Sequence, residues 1–180
     1  MEGFAFIPIT SFALAMTTFI GQNLGAGQYD RAKKGARFGI LTSILLAELV
    51  GVAVYFAAPA LIAAFNSEPQ VVAYGVRQAH TISLFYFLLA FSHSLAGILR
   101  GAGRSIVPML VMMVCWCAIR VSYITVVTRF VGEIQAIFWA YPITWALSSL
   151  AFLAYYLKGD WVHFYDRQRE KAGAAPPAAE

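Results

Sequence analysis

The stretch TFIGQNLGAGQYDRAKKGARFGI, residues 18–40, separates two long apolar segments and guides the interpretation of the whole chain. It holds four of the chain's thirteen lysines and arginines and five of its fourteen glycines. The segments on either side of it are almost purely apolar. A short glycine-rich, basic segment between two apolar runs is typical of a loop between membrane-spanning helices.

The composition indicates a membrane protein. Of the 180 residues, 60% are hydrophobic and only 12% are charged, whereas soluble domains carry about 25% charged residues. The mean hydropathy is +0.67, and a water-soluble fold of this size cannot bury so much apolar surface. The net charge of +4 is carried between apolar segments, which favours membrane orientation over nucleic-acid binding.

Several apolar segments are each long enough to cross a bilayer as a helix, which takes about 20 residues. The five predicted spans are residues 3–24, 38–65, 71–99, 105–128 and 134–157. The tail, residues 158–180, begins with aromatic and basic residues and ends in an alanine- and proline-rich stretch that we expect to be disordered. The sequence therefore predicts an all-α integral membrane protein with five transmembrane helices.

The basic residues predict the orientation of these spans. Four lie in the loop after the first span, two in the loop after the third span and four in the tail. Only Arg77 and Arg129 lie near the opposite side, and Arg120 lies inside the fourth span. Because basic loops stay in the cytoplasm, we expect a multi-pass protein of the inner, cytoplasmic membrane with its N-terminus outside and its C-terminus inside.

Glycines recur at four-residue spacing near the ends of the spans. The pairs are Gly21 and Gly25, Gly35 and Gly39, and Gly97 and Gly101. Small residues at this spacing let membrane helices approach closely. The triplet GAG occurs at residues 25–27 and 101–103. Neither copy is a nucleotide-binding G-x-G-x-x-G, because Asp30 and Ile106 stand at the last position.

The sequence offers no motif of an intramembrane enzyme. It contains no G-x-S-x-G, no H-E-x-x-H and no pair of intramembrane aspartates. Cys115 and Cys117 lie two residues apart in an apolar run, and we expect them to pack on different faces of a helix rather than to bind metal. No catalytic residue, metal site or cofactor is expected.

The ionisable side chains inside the spans are the candidates for transport or coupling: Glu48, His80, His93 and Arg120. Glu48 lies about 15 Å into its span, near the bilayer centre. There we expect it to bind a cation or relay a proton or, alternatively, to be a protonated glutamic acid that is hydrogen-bonded to a neighbouring helix. His93 lies at a depth that allows pairing with Glu48, whereas His80 lies nearer the outside, and packing is an alternative for both. Arg120 requires a partner or an aqueous cavity, with gating and a simple carbonyl or headgroup contact both open.

Aromatic side chains in the last two spans are candidates for contact with lipophilic cations: Trp116, Tyr123, Trp139 and Tyr141. Interfacial anchoring and ordinary packing are the alternatives for most of them. Prolines inside the spans, among them Pro8, Pro59 and Pro142, are expected to kink their helices.

Several motifs together resemble the multidrug and toxic compound extrusion (MATE) transporters of the MOP superfamily. PITSFALAMTTFIGQNLGAGQYDRAKKG, residues 8–35, is similar to the family signature, in which an apolar helix runs into G-Q-N-x-G-A-G and a basic loop. GILRGAGRSIVPM, residues 97–109, resembles a second family landmark, and residues 115–124 and 139–150 resemble its last two helices. The family-motif residues are Gly21, Gln22, Asn23, Gly25, Gly27, Arg100, Gly101 and Gly103.

Members of this family typically have twelve helices in two six-helix lobes. The resemblance implies that the chain corresponds to about helices eight to twelve, most of the C-terminal lobe, and is a partial transporter. It implies antiport coupled to protons or Na⁺ that exports organic cations or drugs. The implied partners are membrane lipid, organic cations, and an N-terminal lobe or a second copy, with no nucleic acid. A lipid-linked-saccharide flippase of the same superfamily and a non-transporting membrane remnant are the alternatives.

Overall fold

A computed structural model describes residues 2–130, 134–164 and 167, with side chains from Phe6 onward. Within these ranges the chain is helical apart from short turns, and no strand is present. The elements are α1 (Glu2–Gly25), α2 (Tyr29–Phe65), α3 (Pro69–Ser83), α4 (Tyr86–Gly101), α5 (Ile106–Met112), a π-helix (Met113–Ile119), α6 (Arg120–Phe130), α7 (Ile134–Phe138) and α8 (Ala140–Lys158). The predicted all-α class is confirmed.

The helices are long and apolar enough for a membrane protein. Among the described residues, three continuous segments qualify as spans, Tyr29–Phe65, Ile106–Phe130 and Ile134–Lys158, and α3 with α4 forms a fourth if their 54° bend lies within one span. Large apolar side chains such as Leu49 and Phe56, 69% and 77% exposed, cover the outer face of α2, as a lipid-facing surface requires. Helix α1 is the remaining predicted span, and the total of five stays a prediction.

The third predicted span, residues 71–99, is not a single helix. It breaks at Leu84 and Phe85, where the Phe85 N–H bonds to the Ile82 carbonyl oxygen at 3.0 Å in a tighter turn. The adjacent helix α2 makes room for the break, because a Cβ atom at Gly51 would lie 2.4 Å from the Ser83 carbonyl oxygen. No proline or glycine stands at the break itself, so no local signal in the sequence predicts it.

One further expectation is corrected, and the predicted kinks at the prolines stay a prediction. The basic segment after α1 was expected to be a connector, but α2 begins at Tyr29 and takes in all four of its basic residues. The prolines do not mark the breaks in the fold: Pro8 and Pro59 lie inside continuous helices, and Pro142 lies in the first turn of α8, where the missing N–H is tolerated.

Helices α1, α2 and α4 pack closely through glycines. A Cβ atom at Gly101 would lie 2.5 Å from the Thr17 carbonyl oxygen, and the Thr17 hydroxyl donates a hydrogen bond to the Gly97 carbonyl oxygen at 3.1 Å. Gly35 and Gly39 of α2 face the side chains of α1. These are the close contacts that the four-residue spacing predicts, whereas Gly25 has no neighbour within 4 Å.

The beginning of the tail is folded against this core. Trp161 and Val162 are each only 5% exposed and belong to the same apolar cluster as Ile20, Leu24 and Leu99. The stretch that was expected to be disordered, at the distal end of the tail, lies outside the described residues.

Candidate functional site

Glu48 lies where α2 faces the break between α3 and α4. Its carboxyl group accepts a hydrogen bond from the backbone N–H of Phe87. Phe87 is the second residue of α4, a position where the N–H has no partner within its own helix. The second carboxyl oxygen, Oε2, is buried and has no hydrogen-bond partner in the part of the chain that the structure describes.

Two features of the Glu48 carboxyl group bear on the alternatives that the sequence left open. One is a structural hydrogen bond to a neighbouring helix, which satisfies a donor that would cost several kcal/mol if left unpaired in hydrocarbon. The other is the Oε2 atom without a partner among the described residues; uptake of a proton or a cation there stays a prediction. The N-terminus of α4 also favours negative charge on this carboxyl group.

Arg120 contacts polar and aromatic side chains within the protein. Its Nε and Nη2 atoms donate to the Thr144 hydroxyl oxygen at 3.1 and 2.6 Å. The guanidinium carbon lies 4.6 Å from the centroid of the Tyr141 ring and 5.4 Å from that of the Trp116 ring. Arg120 follows the π-helix directly, and its partner Thr144 was not among the residues predicted from the sequence.

A buried cluster of serines joins α4 to α8, and we call Ser92, Ser148 and Ser149 the serine cluster. Ser92 Oγ lies 3.0 Å from Ser148 Oγ and 2.8 Å from Ser149 Oγ. The indole N–H of Trp116 donates to Ser148 Oγ at 3.2 Å, so the cluster also contacts the π-helix. These residues were not predicted from the sequence; their signal is small polar side chains within apolar runs, FSHSL and WALSSL.

The structure gives the two predicted histidines separate surroundings. His93 packs edge-on against the Phe6 and Trp116 rings, with centroids 6.3 and 5.4 Å away. Its Nε2 atom is buried without a hydrogen-bond partner among the described residues. His80 stacks on the Tyr55 ring at 4.0 Å, and its Nε2 atom lies 3.0 Å from the Tyr55 carbonyl oxygen.

The four aromatic candidates do not form one surface. Trp116 and Tyr141 meet at Arg120, as described above. Tyr123 instead donates its hydroxyl to the Ala136 carbonyl oxygen at 3.1 Å. Trp139 is 43% exposed and packs edge-on against Phe85 at 5.7 Å, beside the break in the third span.

The two GAG triplets form the same turn at the ends of α1 and α4. Their final glycines, Gly27 and Gly103, have φ angles of 72° and 79°, a left-handed conformation that favours glycine. In both turns the next N–H, of Gln28 or Arg104, bonds at 2.8 Å to the carbonyl oxygen five residues earlier, as in a Schellman cap. The remaining motif residues lie within or just before these turns: Gly21, Gln22, Asn23, Gly25, Arg100 and Gly101.

The folded beginning of the tail contacts both turns. The ring of His163 lies 5.5 Å from that of Tyr29, after the first turn, and the Arg104 guanidinium lies 3.7 Å from the centroid of Phe164, after the second. His163 also donates hydrogen bonds to Asp160, and these hold the pKa of the Asp160 carboxyl group below its usual range.

The two cysteines differ in their exposure. Cys115 is buried, Cys117 is exposed, and both are free, so they point to different surroundings as expected. Within the described ranges no three side chains among His, Cys, Asp and Glu come together as a metal site.

Comparison with known families matches residues 1–126 of the chain to MatE. The chain belongs to the MatE family. One relative is the probable multidrug resistance protein NorM of Thermotoga maritima, 29% identical over 164 residues that cover 89% of this chain and 35% of the relative. Another is the probable multidrug resistance protein YoeA of Bacillus subtilis, 23% identical over 152 residues that cover 83% of this chain and 33% of the relative.

Solved structures show the same MatE fold. The crystal structure of the eukaryotic MATE transporter AtDTX14 matches with a TM-score of 0.78 and 20% identity, covering 91% of this chain and 37% of that chain. An inward-facing multidrug resistance MATE family transporter of the MOP superfamily matches with a TM-score of 0.77 and 20% identity, covering 93% and 38%. The chain therefore spans about a third of the length of the relatives that it matches. The resemblance read from the sequence is confirmed, and the MatE chain is a membrane protein.

Proposed function

We propose that this chain forms most of the C-terminal lobe of a secondary transporter that exports organic cations or drugs in exchange for protons or Na⁺. Support comes from the family and from relatives named as multidrug resistance proteins. We further propose the cytoplasmic membrane as its location, with the N-terminus outside, because the basic residues concentrate in two loops and the tail.

The observation that carries the proposal is the state of the Glu48 carboxyl group. One oxygen is held by the Phe87 N–H, and Oε2 is buried without a partner in the described structure. An ionisable group at this depth is costly and is characteristic of an ion or proton pathway.

The position of Glu48 suits coupling for a second reason. Its hydrogen bond joins α2 to the first turn of α4, at the place where the third predicted span is broken. Uptake of a proton removes the charge that the N-terminus of α4 stabilises, so the carboxylate and carboxylic acid forms hold the two helices with different strength. Binding of a proton or a cation at Glu48 and the relative position of α2 and α4 are thereby linked.

A chimera tests the proposal. The chain replaces the aligned segment of the Thermotoga maritima relative, and the purified chimera is placed in vesicles containing ethidium under an imposed pH or Na⁺ gradient. We expect ethidium to move only while a gradient of the coupling ion is present. A folded chimera that moves no ethidium under either gradient contradicts the proposal.

The same vesicles separate the alternatives. Movement of a fluorescent lipid-linked saccharide without movement of ethidium identifies a flippase of the superfamily. A folded chimera that moves neither compound identifies a membrane remnant without transport.

A further inference from the structure

The surroundings of Arg120 are those that a site for an organic cation provides. Two aromatic rings, of Trp116 and Tyr141, lie within 5.4 Å of its guanidinium carbon, inside the range in which a cation is attracted to a ring face. A hydroxyl oxygen, of Thr144, accepts two of its hydrogen bonds. In this structure the guanidinium group of Arg120 itself occupies the position between these rings and this oxygen.

The hydroxyl group is oriented without help from Arg120. Thr144 directs its hydroxyl hydrogen to the carbonyl groups of its own helix, with its Oγ1 atom 2.8 Å from the Ala140 oxygen and 3.1 Å from the Tyr141 oxygen. Its lone pairs therefore point away from those carbonyl groups, toward the position of the guanidinium. Thr144 is also fully buried, which fixes the acceptor in place.

The two rings are held in the same way, by contacts that do not involve Arg120. Trp116 donates its indole N–H to Ser148 of the serine cluster and packs against His93. Tyr141 packs edge-on against the buried Trp145, with centroids 5.9 Å apart. The site is therefore formed by two elements, the π-helix and α8, and these contacts hold its shape without the guanidinium.

We infer that Arg120 is a tethered occupant of an organic-cation subsite formed by Trp116, Tyr141 and Thr144, and that a lipophilic cation binds there only when Arg120 withdraws. Two cations cannot share the same rings and the same oxygen without strong repulsion. Arg120 thereby sets which cations this lobe accepts and how tightly it holds them. The biological meaning of this inference rests on the proposed export of organic cations, but its test does not.

The backbone beside Arg120 is suited to such a withdrawal. Arg120 is the first residue of α6 and follows the π-helix Met113–Ile119. The turns of a π-helix are wider than those of an α-helix, so the backbone atoms pack less tightly across the helix axis. Such segments are frequent at functional sites. A return of this segment to α-helical geometry rotates the residues that follow relative to those that precede it, and so moves Arg120 relative to Trp116.

Binding of tetraphenylphosphonium to the purified full chain, followed by tryptophan fluorescence, tests the inference. We expect Arg120→Met to bind this cation at least about tenfold more tightly than the unchanged chain, since the rings are released from their own cation. Arg129→Met, which removes an exposed arginine of the same helix, is the matched control and should not differ from the unchanged chain. Addition of Tyr141→Leu to Arg120→Met should abolish the gain.

Two further variants guard against a change specific to methionine. Arg120→Gln keeps a donor for Thr144, and Arg120→Ala leaves space that free methylguanidinium fits. We expect millimolar methylguanidinium to raise the melting temperature of Arg120→Ala but not that of the unchanged chain. Folded variants that bind neither probe more tightly than the unchanged chain overturn the inference, and so does loss of folding in all three, which would make Arg120 a purely structural residue.

These results are independent of transport. If the chimera moves no ethidium while Arg120→Met gains affinity, the proposed function fails and the subsite stands. If the chimera transports and Arg120→Met gains nothing, the proposed function stands and the subsite is wrong.

Discussion

The backbone of Gly97 packs directly on that of Ala13: a Cβ atom at position 97 would lie 2.5 Å from the Ala13 carbonyl oxygen. Because the obstacle is backbone and not the end of a flexible side chain, α1 must move before any larger residue fits between it and α4. This contact places the helix that precedes the first GAG turn against the helix that precedes the second.

A methyl group at Gly97 is therefore expected to destabilise the chain. Gly97→Ala should lower the free energy of unfolding by about 1–3 kcal/mol, the usual cost of forcing extra volume into a packed site. Gly25→Ala is the matched control, because nothing lies within 4 Å of a Cβ atom there. Thermal melting of both variants in detergent measures the difference, and equal melting temperatures would refute the role assigned to Gly97.

The glycine contacts could be predicted because the signal is local: small residues four apart on an apolar helix have few uses other than close packing. The break at Leu84 and Phe85 could not, because both residues are ordinary helix formers. What stabilises the break lies far away in sequence, in Gly51 and Glu48 of α2. Contacts of this kind, made by a distant helix, cannot be recognised in the sequence of the segment that they bend.

Replacement of Glu48 should separate coupling from folding. Glu48→Gln keeps a carbonyl oxygen for the Phe87 N–H but removes the titratable charge, so the chimera should melt normally and lose most of its gradient-driven ethidium movement. Glu68→Gln, a change at an exposed carboxylate before α3, should leave movement intact. Unchanged movement in Glu48→Gln would assign coupling to other residues.

The tail contact should respond to acid. The hydrogen bonds from His163 hold the pKa of Asp160 below its usual range, and Arg167 also contacts this carboxylate. A depressed pKa means that the stabilisation is complete above about pH 4 and is lost as the pH falls through the lower, folded value. The emission of Trp161, buried beside Asp160, should shift to the red in that range.

Two variants check the assignment. Trp161→Phe identifies the part of the emission that comes from Trp161, and Asp160→Asn should remove the acid-induced shift because the amide does not titrate. A shift of the same size in Asp160→Asn would exclude Asp160 as its source.

The Arg120 site shows the other limit of sequence reasoning. Arg120, Trp116 and Tyr141 were all identified as candidates from residue type and depth. Their contact with one another was not predicted. The residues that fix this geometry, Thr144 and the serine cluster, are small and polar, and such residues are common in membrane helices. Residue type was enough to predict the three candidate side chains, whereas their arrangement into a site depends on the packing of α8 on the π-helix.

The orientation of the chain is tested by labelling single cysteines. In a chain without Cys115 and Cys117, a cysteine at Ser67, between α2 and α3, should react with an impermeant reagent from outside. A cysteine at Gly173, in the tail, should be protected until the membrane is opened. The reverse pattern would contradict the orientation that the basic residues predict.

The most direct test of the account compares the chain alone with the chimera in parallel vesicles. Alternating access needs two lobes that move about a site between them, and this chain spans about a third of the length of its relatives. Under an imposed proton or Na⁺ gradient, we expect ethidium movement by the chimera and none by the chain alone. Gradient-dependent movement by the chain alone, above that of empty vesicles, would contradict it.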